Sequence, residues 1–266
     1  MARSALLNVM VQAALKAGRG LARDFGEVQN LQVSLKGPGD YVSQADRKAE
    51  EVIRTELMRA RPTYGFLGEE GGETSGSDGS HRWIVDPLDG TTNFLHGIPH
   101  FAVSIALERN EELVAGVIYN PATDELYTAE RGGGAFFNDR RLRVAARKAM
   151  SDAVIGSGVP HLGRGHHGKY LVELRHVMGE CAGIRRMGAA ALDLAYVAAG
   201  RLDGFWEKPL APWDMAAGIV LIREAGGLVK DMTGGDNMFA TSTIAAGNET
   251  ILKGLLDLIQ RPVPTS

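Results

Sequence analysis

Strand-like and helix-like segments change their order halfway along this chain, and that order restricts the fold. From Phe101 to Val144 the strand-like segments FAVSIALE, LVAGVIYN, ELYTAER and GAFFN follow one another, with turn residues between them. Beyond residue 150, strand and helix patterns alternate as far as the helical segment ETILKGLLDLIQ. This order is typical of a layered α/β or α+β fold with mixed sheets. Without an internal repeat or a long linker, the chain is expected to form one domain over residues 1–266.

Composition and charge exclude several classes of protein. With 44% hydrophobic and 23% charged residues, the chain is neither disordered nor collagen-like. Its net charge of -3 and the lack of a long basic run disfavour nucleic acid or an anionic membrane as the main partner. A single cysteine, Cys181, excludes an internal disulfide and fits a reducing compartment. No apolar run suits a signal peptide or approaches the ~20 residues that cross a bilayer, so we expect a soluble, cytoplasmic protein.

The segment IVDPLDGTTNF, residues 84–94, places two carboxylates and a glycine-threonine run on one turn at the end of an apolar strand. Asp86 and Asp89 come close together there, which is unfavourable unless one is protonated or a cation lies between them. Hard oxygen ligands select Mg²⁺, Mn²⁺ or Ca²⁺ over zinc or copper. The backbone amides that follow can donate to an anion, and they belong to Gly90, Thr91 and Thr92. The turn therefore has the groups that a metal-dependent phosphate enzyme requires.

Further acidic residues are placed where they can join this turn. Glu69 and Glu70 end the short strand-like segment GFLGEE, before the polar, glycine-rich loop GGETSGSDGS. If this strand neighbours the next one, Glu69 lies at the same sheet edge as Asp86. Asp214 lies in the first turn of the apolar, and therefore buried, helix WDMAAGIVLIREAGG. A structural alternative stays open, in which Asp89 caps a turn and Asp214 complements the dipole of its own helix.

Three separated motifs, in this order, resemble the inositol monophosphatase family. They are GEE at 68–70, DPLDGTTNF at 86–94 and PWDMAAGIVLIREAGG at 212–227. The segment GAAALDLAYVAAGRLDGFWE at 188–207 is most similar to the bacterial branch, and the resemblance extends over almost the whole chain. It implies a sugar-phosphatase-like αβαβα sandwich with mixed sheets. It also implies a lithium-sensitive, Mg²⁺-dependent phosphatase that forms a homodimer.

The resemblance further implies a role for particular positions. About two to three Mg²⁺ ions would be held by Glu69, Asp86, the carbonyl group of Leu88, Asp89 and Asp214. The attacking water would be positioned and activated by Thr91, hydrogen-bonded to Asp46, with Glu70 nearby. The substrate would contact Gly90, Thr91, Thr92, Arg185, Gly188, Ala189, Ala190, Glu207 and Asp214, with Glu207 accepting hydrogen bonds from polyol hydroxyls. Many relatives have Ser or Thr at the position of Ala189, which leaves the preferred polyol open.

The expected function is Mg²⁺-dependent hydrolysis of inositol 1-phosphate, or of a related polyol monoester, by a metal-activated water. A sugar bisphosphatase or a nucleotide 3′-phosphatase would use the same acidic turn, so these alternatives stay open. Bacterial relatives are also associated with transcription complexes and RNA processing, which leaves open a regulatory protein that binds RNA polymerase or RNA. A basic patch would favour that function, but we interpret its residues as a solvated edge: Arg140, Arg141, Arg143, Arg147 and Lys148.

The histidines are interpreted as loop and rim residues. The segment HLGRGHHG lacks the i, i+4 spacing of a helical zinc pair, so we expect a solvated loop that carries His161, His166 and His167. His96 and His100 flank the segment GIP close to the acidic turn. We expect these two at the rim of the pocket rather than among the metal ligands.

Overall fold

The computed structural model describes residues 3–27, 33–37, 40–161, 163 and 165–262. Its helices are α1 (Ala5–Phe25), α2 (Gln44–Ala60), α3 (Thr91–Leu95), α4 (His167–Met178), α5 (Ala190–Ala198), α6 (Pro212–Glu224), α7 (Met238–Thr241) and α8 (Glu249–Ile259), with a 3₁₀ turn at Met150–Asp152. Its strands are β1 (Val33–Gly37), β2 (Asp40–Ser43), β3 (Gly65–Gly68), β4 (Gly72–Thr74), β5 (His81–Asp89), β6 (Ala102–Arg109), β7 (Glu112–Asn120), β8 (Glu125–Glu130), β9 (Gly134–Phe137), β10 (Arg140–Arg141), β11 (Val154–Ser157), β12 (Gly183–Arg185), β13 (Gly204–Glu207), β14 (Leu228–Lys230) and β15 (Ile244–Gly247). Among these helices, none combines the length and the apolar character needed to span a membrane.

Within these residues the strands form two mixed sheets and a hairpin of β1 and β2. The first sheet has the order β10-β9-β8-β7-β6-β5-β3-β4, and neighbours are antiparallel except for the parallel pair β3 and β5. The second sheet has the order β12-β11-β13-β15-β14. There, β11 is parallel to β12 and β13, whereas β15 is antiparallel to β13 and β14. Consecutive strands from β6 to β10 pair with each other because short turns connect them, as the strand-like run in the sequence predicted.

Helices cover both sheets and also separate them. Successive residues of one strand face different layers: Trp83 of β5 packs with α1 and α2, whereas Ile84 belongs to the core around α5 and α6. In the second sheet, Phe205 of β13 faces the same central core, and Trp206 packs with residues of α4 and α8. The order of layers is therefore helix, sheet, helix, sheet, helix. This confirms the predicted αβαβα sandwich with mixed sheets.

The central helix α6 explains how the two sheets are held together. Its residues Met215 to Ile222 are all buried, as expected for a helix that is apolar on every side. The helix lies against the backbone of β7, where a Cβ on Gly116 would be 2.7 Å from the carbonyl oxygen of Ala217. Because α6 is fixed so closely, Asp214 in its first turn has a fixed position as well.

One segment differs from its sequence-based interpretation. The glycine-rich stretch after Glu70 was expected to be a loop, but it begins with β4, which pairs with β3. Gly72 has a φ of 69°, a backbone conformation that glycine adopts without strain. The chain reverses there, so that Glu73 and Thr74 return along Phe66 and Leu67.

Candidate active site

Glu69 directly follows β3, and Asp86 lies near the end of the neighbouring strand β5. Gly68 pairs with Val85 in the parallel ladder of β3 and β5, and the N–H group of Glu69 donates to the carbonyl of Val85 at 3.3 Å. The sequence interpretation required these strands to be neighbours, and they are. The carboxyl ends of parallel strands are a common place for ligand sites in α/β proteins.

A β-bulge at the end of β5 brings Asp89 close to Asp86. Asp86 pairs with Ser104 and Asp89 with Ala102, so β5 uses one residue more than β6 over this interval. The N–H group of Leu88 donates to Oδ1 of Asp86 at 2.9 Å within the bulge. The strand therefore continues to Asp89 rather than ending at Asp86 as the sequence suggested.

Asp214 reaches the same cluster from α6. Its Oδ2 accepts a hydrogen bond from the N–H group of Ala211 at 2.7 Å, so the carboxylate caps the start of its helix. One carboxylate oxygen from each of Asp86, Asp89 and Asp214 also lies within 4.8 Å of the other two. The helix cap and the acidic cluster are therefore both present, and one does not exclude the other.

Burial makes three free charges in this cluster unfavourable. Asp86 is 1% exposed, and burial, followed by repulsion from Glu69, raises its pKa well above its usual range. Burial also raises the pKa of Asp89; repulsion from Asp214 adds to the rise, and the hydrogen bond from Ala191 opposes it. A divalent cation bound to these oxygens would offset both the lost hydration and the repulsion. The buried, all-oxygen donor set therefore fits a hard cation.

A cavity of about 160 Å³ has this cluster in its lining. Most of the residues assigned from the sequence contribute to the same lining: Glu69, Asp86, Leu88, Asp89, Gly90, Thr91, Thr92, Gly188, Ala190, Glu207 and Asp214. They come from the ends of β3, β5 and β13 and from the starts of α3, α5 and α6. The site thus lies where the two sheets and the central helix layer meet.

Thr91 and Asp46 are arranged differently from the expectation. The hydroxyl of Thr91 donates to the carbonyl of Leu88 at 3.0 Å, whereas the resemblance implied a hydrogen bond to Asp46. A hydroxyl three residues after a carbonyl in a tight turn reaches back to it, so local geometry sets the direction of this proton. Asp46 is buried on α2 outside the cavity lining, and its charge adds to the raised pKa of Asp86.

Glu70 and Ala189 lie beside the cavity without lining it. The N–H group of Glu70 donates to Oε2 of Glu50 at 2.8 Å, and its carboxylate lies 3.5 Å from Nε of Arg47. Ala189 is buried, and its Cβ would be 3.1 Å from a Cβ built on Gly90. Both residues therefore support the site from neighbouring positions.

Of the two adjacent arginines, Arg186 lines the cavity and Arg185 does not. Arg185 is exposed at the end of β12, and its Nη1 donates to the carbonyl of Ile184 at 3.0 Å. The guanidinium of Arg186 folds over Gly188, where a Cβ would be 2.3 Å from Nη1. Side chains of consecutive residues in an extended chain point to opposite sides. The arginine pair was a usable signal, but the sequence alone did not tell which of the two faces the site.

The cavity lining also contains residues that the sequence analysis did not assign to the site. His161 was interpreted as part of a solvated loop; it is exposed, and that loop forms part of the lining. Lys208 lines the cavity and forms an ion pair with the buried carboxylate of Glu173. These residues reach the site through the tertiary fold, and no local motif marks them.

Glu207, at the end of β13, has an unusual environment for a carboxyl group. Burial raises its pKa to about 8; the charges of Asp193 and Asp214 add to the rise, and Arg186 opposes it. Gly158 leaves room for the side chain, because a Cβ at that position would be only 1.9 Å from Cδ of Glu207. Without a cation this environment favours the protonated form of Glu207, which can both donate and accept hydrogen bonds.

Comparison with known proteins decides the family. The sequence model of the inositol monophosphatase family matches residues 2–262. The chain belongs to the inositol monophosphatase family. The assignment made from the three acidic motifs is thereby confirmed.

Individual relatives agree with this membership. Inositol-1-monophosphatase of Rhizobium meliloti (strain 1021) is 77% identical over 265 residues, with 100% of both chains covered. The Nus factor SuhB of Pseudomonas aeruginosa is 47% identical, with 98% of each chain covered. The crystal structure of the extragenic suppressor protein suhB from Bartonella henselae matches with a TM-score of 0.96 and 66% sequence identity. The match covers 98% of this chain and 100% of the Bartonella henselae chain. The chain is therefore a phosphatase with the inositol monophosphatase fold.

Proposed function

We propose that this protein hydrolyses inositol 1-phosphate, or a closely related polyol phosphate monoester, with Mg²⁺ as its cofactor. The proposal is carried by one observation: Asp86, Asp89 and Asp214 converge in a cavity that Gly90 and Glu207 also line. The cavity thus combines ligands for a cation, backbone donors for an anion and a carboxyl group for hydroxyls. The name of the Rhizobium meliloti relative, Inositol-1-monophosphatase, supports the same substrate.

The acidic cluster would hold the metal. Its ligands would be the carboxylates of Glu69, Asp86, Asp89 and Asp214 and the carbonyl oxygen of Leu88, and we propose about two to three Mg²⁺ ions. When bound, the ions supply Lewis acidity and stabilise negative charge on the phosphoryl oxygens. Protons compete for the same oxygens, because burial raises the pKa of both Asp86 and Asp89.

The Gly90 turn would hold the phosphate. Gly90 has a φ of 87° and a ψ of 34°, a left-handed conformation that ends β5 and directs residues 90–92 to the cavity. A Cβ at this position would lie 2.9 Å from the carbonyl oxygen of His100, so glycine is required on two grounds. The backbone N–H groups of the turn would donate to the phosphate oxygens.

Thr91 would position the attacking water. Its hydroxyl proton is used in the hydrogen bond to Leu88, so the oxygen lone pairs are left to accept a hydrogen bond from water. Asp46 and Glu70 lie outside the cavity lining and would act on this water only through neighbouring groups. For Asp46 that neighbour is Asp86, whose pKa it helps to raise.

The polyol would occupy the part of the cavity between Glu207 and the start of α5. Glu207 would exchange hydrogen bonds with hydroxyl groups, and Gly188 and Ala190 would contact the ring. The guanidinium of Arg186, which folds over Gly188, would add donors to the same surface. These residues set the substrate preference, whereas the acidic cluster sets the reaction.

Phosphate release from inositol 1-phosphate, with and without Mg²⁺, tests the proposal. A sugar bisphosphate and a nucleoside 3′-phosphate serve as competing substrates in the same assay. We expect Mg²⁺-dependent release that is fastest with inositol 1-phosphate. Faster release from either competitor would correct the substrate, and no release from any phosphomonoester would contradict the enzymatic proposal.

Binding to a transcription complex is a second proposal, which the name of the Pseudomonas aeruginosa relative supports. Part of the basic patch also serves the fold: Arg147 pairs with Asp203 at 3.0 Å, and Arg141 lies against Gly134. Binding of purified RNA polymerase that is lost on substitution of Arg140 would support this function.

We also propose that the chain forms a single domain, that the protein is a homodimer and that it is located in the cytoplasm. Sedimentation of the purified protein tests the dimer.

A further inference from the structure

His100 and Asp193 form a buried contact next to the acidic turn. Nε2 of His100 lies 3.5 Å from Oδ1 of Asp193, and the two side chains are 13% and 1% exposed. Within the part of the chain that the structure describes, neither of these two atoms has a hydrogen-bond partner of ordinary geometry. Each group would be costly to bury alone, so each depends on the other. The contact joins the segment before β6 to α5.

The His100 side of this contact supports the Gly90 turn through Asn93. Nδ2 of Asn93 donates to the carbonyl of His100 and to that of Met187, at 2.8 Å in both cases. Asn93 is buried on α3, the helix that directly follows the turn. The carbonyl oxygen of His100 also approaches Gly90, where a Cβ would be 2.9 Å away. The backbone of His100 therefore supports the turn from one side.

The Asp193 side supports the same turn through α5. The N–H group of Ala191 donates to Oδ2 of Asp89 at 2.7 Å, and Ala189 lies against Gly90. Asp193 lies two residues after Ala191, in the first turn of α5. The turn is thus held between two supports, and His100–Asp193 is a side-chain contact that joins them.

We propose that His100 and Asp193 are a positioning pair, which holds the His100 segment against α5 and thereby fixes Asp89 and Gly90 for the cation and the phosphate. The roles of Asp89 and Gly90 in binding the cation and the phosphate rest on the proposed function. The contact between His100 and Asp193 does not depend on it. A positioning pair acts through geometry. What matters is that a donor at residue 100 meets an acceptor at residue 193, and the charges of the two groups are secondary.

A purely electrostatic role for Asp193 makes a different prediction. Its carboxylate lies close enough to affect the pKa of Glu207 and of Asp89, and the charges of His100 and Arg186 act on it in turn. Asparagine keeps an acceptor in the same place but carries no charge. If the charge were the function, Asp193→Asn would therefore have the same effect as removal of the side chain.

Four single variants separate geometry from charge. His100→Phe and Asp193→Ala remove the contact, whereas His100→Gln keeps a neutral donor at residue 100 and Asp193→Asn keeps a neutral acceptor at residue 193. Phenylalanine also keeps a ring against Tyr196, whose ring centre lies 5.6 Å from that of His100. The readouts are kcat and KM for inositol 1-phosphate, the Mg²⁺ concentration for half-maximal rate, and amide hydrogen exchange of residues 90–94 in the Mg²⁺-free protein.

The variants that remove the contact are expected to lower kcat and to raise the required Mg²⁺ concentration by ~10-fold or more, as losses of groups that orient metal ligands do. KM should change by a smaller factor than kcat, because the pair touches neither the phosphate nor the polyol and acts on Gly90 and α5 only through their position. Amide exchange at residues 90–94 should become faster. The double variant His100→Phe/Asp193→Ala should be no worse than either single change, because loss of one partner already breaks the contact. The two neutral variants should remain close to the wild type.

Asp203→Asn is the matched control. Asp203 is as deeply buried as Asp193 and pairs with Arg147 at 3.0 Å, but it lies outside the cavity lining. This change should lower the melting temperature and leave kcat and the exchange at residues 90–94 unchanged. If Asp193→Ala fails to fold, the comparison of His100→Phe with His100→Gln still tests the proposal.

Two results would overturn the proposal. One is that Asp193→Asn and Asp193→Ala lose the same activity, which assigns the effect to charge. The other is that the contact-removing variants lose thermal stability while kcat and the exchange at residues 90–94 keep their wild-type values. If the wild type hydrolyses no phosphomonoester, the proposed function fails separately, and the exchange rates of the Mg²⁺-free protein still decide the positioning claim.

Discussion

The N–H group of Ala191 donates to Oδ2 of Asp89 at 2.7 Å, although the two residues are 102 positions apart in the chain. Ala191 lies in the first turn of α5, and the preceding residue Ala190 lines the cavity. The carboxylate of Asp89, which is proposed to bind the cation, is therefore oriented by the start of α5, which is proposed to contact the substrate. Changes on either side of this hydrogen bond should affect metal and substrate together.

Substitution of Gly158 should disturb substrate binding through Glu207. A Cβ at residue 158 would be 1.9 Å from Cδ of Glu207, so Gly158→Ala must displace that carboxyl group from its place. We expect KM for inositol 1-phosphate to rise about threefold to tenfold, which corresponds to one lost hydrogen bond. Glu207→Ala should give a similar KM, and adding Gly158→Ala to it should change little. Additive effects of the two changes would contradict this account.

The two adjacent arginines should differ in their contribution to substrate binding. Arg186→Ala removes a cation from the cavity lining, and we expect KM to rise about tenfold, as for loss of a charged hydrogen bond. Arg185→Ala is the matched control, because both side chains are exposed but that of Arg185 lies outside the lining. Steady-state kinetics of both variants checks the prediction. Equal effects of the two changes would show that general charge, and not position, matters.

The stability of the Mg²⁺-free protein should fall as the pH rises. Burial raises the pKa of Glu207 from 4.5 to about 8, and those of Asp86 and Asp89 also rise. The folded state then binds protons more tightly than the unfolded state. This contribution is fully present below the unfolded pKa and is lost as the pH rises through the folded pKa, here between 4.5 and about 8 for Glu207.

Mg²⁺ should reverse the part of this loss that comes from Asp86 and Asp89, because it replaces the protons on those two carboxylates. The increase in melting temperature caused by Mg²⁺ should therefore be larger at about pH 8.5 than at about pH 6. Thermal unfolding at both pH values, with and without the ion, measures this difference. An equal increase at both pH values would mean that protons and the cation do not compete for the cluster.

Two glycines of α1 should respond in opposite directions to alanine. Gly20 has open space around a Cβ, so Gly20→Ala should raise the free energy of unfolding by about 0.5–1 kcal/mol. At Gly18 a Cβ would be 2.5 Å from the ring of Tyr119, and Gly18→Ala should lower it by about 1–3 kcal/mol. Chemical denaturation of the two variants checks the packing of α1 on the first sheet. Stabilisation by both changes would contradict that packing.

Much of the fold and the acidic centre could be predicted because their signals are local. The turn 84–94 carries its carboxylates, its glycine and its hydroxyls in one short segment, and Glu69 follows the neighbouring strand. The apolar character of α6 predicted a buried helix, and the helix begins at Pro212, two residues before Asp214. Most of the first sheet could be predicted because its consecutive strands are joined by short turns and therefore pair with each other.

The remaining features depend on tertiary contacts that a sequence does not display. The choice of Arg186 over Arg185 depends on how the chain turns after β12, and His161 reaches the cavity through the path of its loop. His100 was expected at the rim of the pocket, but its contact with Asp193 joins residues 93 positions apart. The sequence contains both residues and gives no sign that they meet.

Calorimetric titration of Mg²⁺ into the wild type and Asp89→Asn tests whether the acidic cluster binds the metal, with Asp236→Asn as a control. Asp236 is an exposed carboxylate that pairs with Lys230 outside the cavity lining. We expect the wild type and Asp236→Asn to bind Mg²⁺ alike, and Asp89→Asn to bind it at least ~10-fold more weakly. Equal binding by Asp89→Asn and the wild type, or no binding by the wild type, would contradict the assignment of this cluster as the metal site.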